Sequence, residues 1–178
     1  MYCVVDVLGF KQSSGVILLK EFAMIAVDGK AIKHLEFVVK APYPFENLLK
    51  EYQAINSWIT RNVHGIAWYS GTISYEESKP NIREILKEAR IVYVNGAEKK
   101  NYLQSLLGYS VKVIDLMKLN CPSTMKLKKL LGNKYSDDPY EVGFASAGEN
   151  VKLIRLWMLQ NNVVPQSQKN FFRRLFSM

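Results

Sequence analysis

At 178 residues, 48% hydrophobic and 12% aromatic, the chain has the length of one domain and the composition of a folded one, which sets disorder aside. No apolar run approaches the roughly 20 residues of a membrane span. Its two cysteines make no disulfide framework, and the start, MYCVVDVLGF, lacks the basic region of a signal peptide, so an intracellular protein of cytoplasm or nucleus, not a secreted one, is expected. The net charge of +8 turns attention to polyanions.

Residues 2–9, 16–27 and 32–40 read as three strands, joined by KQSSG and by VDGK, the second an Asp-Gly hairpin signal. They form an antiparallel meander. The prolines of APYPF end the sheet, because they cannot donate to a ladder. Residues 46–59 follow a helical period with Leu48, Leu49, Tyr52, Ile55 and Ile59 on one face, and Trp58 is assigned to the core beside them. The loop TRNVHGIAWYSGTISYEES comes next, and Pro80 is taken to open the following helix as its first-turn residue. Strand 91–94 turns at Asn95-Gly96 into a helix over 96–107, and strand 111–114 ends at Asp115, either a metal ligand or the cap of the next turn. CPSTMKLKKLLG reads as a short basic helix with Ser123 as cap and Gly132 as stop. A polar loop leads to a last helix over about 147–160, so residues 1–162 make one domain and 163–178 a basic aromatic tail.

The order of these parts implies an α/β ribonuclease H-like fold: a five-stranded mixed sheet, the meander plus two parallel strands, with helices on both faces. Charge is unevenly spread over it. Residues 99–134 hold eight lysines against Asp115 alone, and residues 151–178 hold five cations and no acid. That is the footprint of a nucleic-acid binder. A zinc site would need Cys3, His34, His64 and Cys121 together, although they lie far apart along the chain.

YCVVDVLGF is similar to the first strand, with its Asp-x-Glu, of a known nuclease family. NVHGIAW looks like the His-Gly-Ile loop, VNGAEKKNYL like the Asn-x-x-Phe-Asp segment, and FASAGENVKLIRLW like the last helix with its His and Asp. Over residues 2–160 the chain thus resembles the DEDD-type 3′–5′ exonucleases of the ribonuclease H-like superfamily. More narrowly, VYVNGAEKKNYLQSLLG, VIDLMKLNCPSTMKLKKL and ENVKLIRLW resemble a branch found in arthropods and associated viruses or mobile elements. The Maelstrom domain, in which Cys and His replace the catalytic acids, is a more distant analogue.

The family's chemistry uses four carboxylates around two divalent ions about 4 Å apart, with a histidine that helps deprotonate water. By the resemblance only Asp6 keeps its carboxylate. Leu8, Lys99 and Asn150 stand at the other three motif positions, no histidine lies between 140 and 150, and Phe144 and Ser146 stand where the Maelstrom lineage has His and Cys. One carboxylate cannot hold two magnesium ions. The expectation is therefore a pseudoenzyme with no catalytic residue beyond the remnant Asp6, no metal, no cofactor and no small-molecule substrate. It would bind nucleic acid, with RNA or a single strand favoured. Lys99 is expected either to pair with Asp6 or to receive a phosphate, beside Lys100. Lys126, Lys128 and Lys129 are the preferred phosphate contacts. His64 flanks the cleft, Trp68 and Tyr69 offer stacking faces, and Arg173 and Arg174 in the tail add charge beside Phe171, Phe172 and Phe176. Two alternatives stay open: a protein-interaction scaffold, through the tail, in silencing, its suppression or a viral or transposon complex; and a residual nuclease.

Overall fold

The computed structural model describes residues 1–28, 33–131, 144 and 146–163. Five strands form one mixed sheet: β1 (Tyr2–Phe10), β2 (Leu18–Ala26), β3 (His34–Val38), β4 (Ile91–Val94) and β5 (Lys112–Asp115). Their order is β3-β2-β1-β4-β5. The first three pair antiparallel, while β1/β4 and β4/β5 pair parallel. This is an α/β architecture consistent with a ribonuclease H-like fold, and the central strand is β1, the one that carries Asp6.

The described residues hold five α-helices: α1 (Lys50–Ile59), α2 (Tyr75–Leu86), α3 (Ala97–Leu107), α4 (Thr124–Leu131) and α5 (Ala147–Gln160). The strand alternation sorts the last four into two layers. Cys3, Val5 and Val7 of β1 face Ile82 and Leu86 of α2 and Leu103 and Leu106 of α3. On the other face Val4, Ala23 and Ile25 meet Leu127 of α4 and Val151, Ile154, Trp157 and Met158 of α5. A third cluster, Phe10, Leu18, Leu48, Ile59 and Trp68, closes the end of the sheet against α1. Val163 packs against the second face. The tail beyond it, with Arg173 and Arg174, lies outside the described residues, as do Gly132 and most of the polar loop after it.

Three expectations need correction. Helix α2 starts at Tyr75 rather than at Pro80, because Ser74 and Glu77 form a capping box that satisfies the first turn. Pro80 sits inside the helix and forfeits one hydrogen bond on an exposed face. Trp58 is 56% exposed, whereas Trp68 is 6% exposed. The reason is the polar anchor of α1: Asn56 accepts from the Lys11 amide and donates to the Lys11 carbonyl, both at 2.8 Å. That turns Asn56 and Ile59 inward and leaves Ile55 and Trp58 outside. Trp68 instead packs on Phe10, Tyr43 and Phe45 and donates its indole N–H to the Tyr43 carbonyl at 3.0 Å.

At the end of β1 the ladder slips, Leu8 pairing with Glu21 but Gly9 with Leu19, so Lys20 is an extra residue on β2. Gly9 allows the close approach: a Cβ there would meet the Leu18 carbonyl oxygen at 2.3 Å. Lys20 is wholly buried and donates to the carbonyls of Trp68 (2.8 Å) and Ser70 (2.5 Å), holding the loop against the bulge. Burial pushes its amine down to about 8. Among the described residues no helix is long and apolar enough to cross a membrane.

Candidate functional site

Asp6 points from the centre of β1 toward α5 and is fully buried. A buried carboxylate needs donors, and two arrive from elements that begin at the carboxyl edge of the sheet. Lys99, in the first turn of α3, donates its ammonium to Oδ1. Asn150, in the first turn of α5, donates from Nδ2 to Oδ2 at 2.8 Å. Three of the four motif positions named from the resemblance thus meet at one carboxylate, and Leu8 lines the cleft beside Lys99. Of the two roles expected for Lys99, the ion pair with Asp6 is the one seen.

The backbone around Lys99 is fixed by its neighbours. Gly96 adopts φ 120°, a left-handed conformation suited to glycine, and gives its N–H to Asp115 Oδ1 at 2.9 Å. The same oxygen accepts from the Met117 amide at 3.0 Å, so Asp115 caps the next turn. Asn95 donates to the Pro122 carbonyl at 2.8 Å and to Cys121 Sγ at 3.2 Å. Burial pushes the Cys121 thiol up to about 11, which keeps it protonated and unreactive.

One buried acid escaped the sequence reading. Glu21 of β2 lies opposite Leu8 and accepts the Ala147 N–H, at the start of α5, at 3.0 Å. Burial holds its carboxyl above the usual range. The Ala147 N–H opposes that shift, and Glu36, Asp6 and Glu149 add to it. Glu36 crowds the same helix start, where a Cβ on Gly148 would fall 1.6 Å from its Oε2. The signal was present in the sequence, as a Lys-Glu pair inside the apolar run ILLKEFAMIAV. Among the described residues no three His, Cys, Asp or Glu side chains are placed to hold a metal ion.

A cleft of about 430 Å³ opens beside this lock, between the end of β1, α1 and the starts of α3 and α4. Its charged groups are used up: Lys11 pairs with Glu98, and Lys99 with Asp6. His64 lines the cleft and is bonded within the chain. Its Nδ1 accepts the Ile66 N–H at 3.0 Å, so Nε2 carries the proton and faces the Gly9 carbonyl at 3.3 Å. Burial lowers its pKa, and the imidazole is neutral at pH 7. Trp68 has no free face for a base, for the reasons above. Tyr69 is 65% exposed, and its hydroxyl is tied to Glu46 at 2.9 Å and to the Phe45 amide at 3.1 Å.

The basic residues lie elsewhere. Helix α4 buries Leu127 and Leu131 and turns Lys126 and Lys129 to solvent, with Lys128 half-buried between them. Lys112 and Lys118 are exposed, and Lys100 is half-buried. The sequence matches no protein-family model and no curated protein.

Proposed function

We propose that the chain is a nucleic-acid-binding domain built on an exonuclease-like α/β fold, one that grips the backbone of RNA or a single strand without cutting it. The observation that carries this reading is the separation of charge. The cleft's ions cancel in pairs, while α4 presents Lys126 and Lys129 to solvent and carries no acid of its own. Exposed lysines on one helix suit phosphates, which attract cations without regard to sequence. A metal-dependent reaction has less support, because Lys99 and Asn150 occupy both oxygens of Asp6.

A filter-binding titration of single-stranded RNA at about 50 and about 200 mM salt tests the reading. Affinity is expected to fall steeply between the two. Replacing Lys126 and Lys129 by alanine is expected to flatten the log–log salt slope by about 1.4, or about 0.7 for each single-strand phosphate no longer neutralised. Retention that ignores salt, or that the double substitution leaves unchanged, counts against it.

A further inference from the structure

The apolar cleft has no part in that reading. Its floor is Leu8 and Phe10, its wall Ile59, and its mouth carries Ile55, Trp58 and Val63, which are 41%, 56% and 46% exposed. Three large apolar side chains left in water around one opening, with a tryptophan among them, are the composition of an interface centre rather than of a solvated surface. The five-residue π turn Thr60–His64 that follows α1, closed by the Gly65 N–H to the Thr60 carbonyl at 3.0 Å, sets Val63 on the rim.

The polar inventory does not favour a nucleic-acid strand here. A phosphate entering the cleft would meet Glu98, and the two lysines in the lining, Lys11 and Lys99, are already neutralised by Glu98 and Asp6. An uncharged, apolar group meets no such cost, since the His64 nitrogens and both ion pairs are satisfied internally. One unpaired cation stands near the mouth: Arg61 lies in the turn between Trp58 and Val63, is exposed, and among the described residues is not ion-paired.

We propose that this cleft is a docking pocket for a protein partner, taking one large apolar side chain, aromatic or leucine-like, from a segment flanked by acidic residues. The apolar anchor fills the floor over Leu8 against Trp58, and an acidic flank meets Arg61. Opposite charges on the rim set orientation and encounter rate, while the anchor supplies the affinity.

The test uses the full chain and a fluorescein-labelled acidic octapeptide, Asp-Asp-Glu-Leu-Phe-Asp-Glu-Asp, read by anisotropy beside the same peptide with alanine for both Leu and Phe. The apolar peptide is expected to bind at least about tenfold more tightly than its alanine counterpart. Trp58→Ser and Val63→Asp, both at exposed positions, are each expected to weaken it about tenfold, while Trp58→Phe retains binding. Single-stranded RNA is not expected to displace the peptide. Equal affinity for the two peptides, no binding of either at about 1 mM, indifference to both substitutions, or displacement by RNA overturns the proposal. So does self-association of the chain that Trp58→Ser abolishes, which would give the cleft to a second copy.

Discussion

Lys99→Ala is expected to destabilise the protein by about 3–5 kcal/mol, because it strands a fully buried carboxylate with one amide donor left. For a domain whose whole stability is about 5–15 kcal/mol, that is a large share. It corresponds to a fall in melting temperature of roughly 10 °C. Asp6→Asn alone costs less, since Lys99 keeps some contact with solvent and can turn toward it. Combining Asp6→Asn with Lys99→Met removes both charges and is expected to restore most of the loss, because a buried pair replaced as a pair is often nearly neutral. Urea unfolding of the wild type, Asp6→Asn, Lys99→Met and the double variant closes the cycle, with Lys99→Ala measured beside it. A Lys99→Ala protein as stable as the wild type, or a double variant as weak as Lys99→Ala, would show that the bond does not hold β1, α3 and α5 together.

Glu21→Gln is expected to stabilise the protein at pH 7. The wild-type carboxyl titrates above its unfolded value because it is buried, with Glu36, Asp6 and Glu149 nearby. The folded state therefore holds its proton more tightly than the unfolded chain does. Glu21's contribution to stability is fully present below about pH 4.5, and is lost as pH rises through the folded-state value. Glutamine keeps an oxygen for the Ala147 N–H and removes the charge. The variant is expected to gain about 1–2 kcal/mol at neutral pH, as ionised groups are costly to bury. The gain should shrink toward zero as pH falls to about 4. Chemical denaturation at several pH values reads both curves. Parallel curves would mean that Glu21 titrates as it does in the unfolded chain.

The sheet was legible because its strands are apolar runs with sharp ends. Ile91–Val94 and the helix Ala147–Gln160 stand where the pattern put them. The start of α2 was also written in the sequence, as Ser74-x-x-Glu77, but a proline draws the eye as a helix opener and hid it. The two tryptophans could not be sorted by periodicity. Which side of α1 is buried depends on Asn56 bonding to the Lys11 backbone, a contact across 45 residues. Trp68 lies in a loop, where no period applies, and is buried by the end of the sheet folding over it. The meeting of Asp6, Lys99 and Asn150 came from alignment to a family pattern rather than from local sequence, since nothing within a few residues of any of them reveals the other two. Glu21 falls outside that pattern and was missed for that reason. The emptying of the cleft's charge was equally hidden, because Lys11 and Glu98 are 87 residues apart.

A lysine and an amide occupy both oxygens of Asp6, and we propose that the domain holds nucleic acid without cleaving it. End-labelled single-stranded RNA incubated with the full chain in about 5 mM Mn²⁺, a hard divalent ion of the kind carboxylate sites prefer, and resolved on native and denaturing gels, tests it most directly. The prediction is a retarded band on the first gel and full-length RNA on the second, unchanged by the metal. Metal-dependent shortening of the strand that Asp6→Ala abolishes would contradict it.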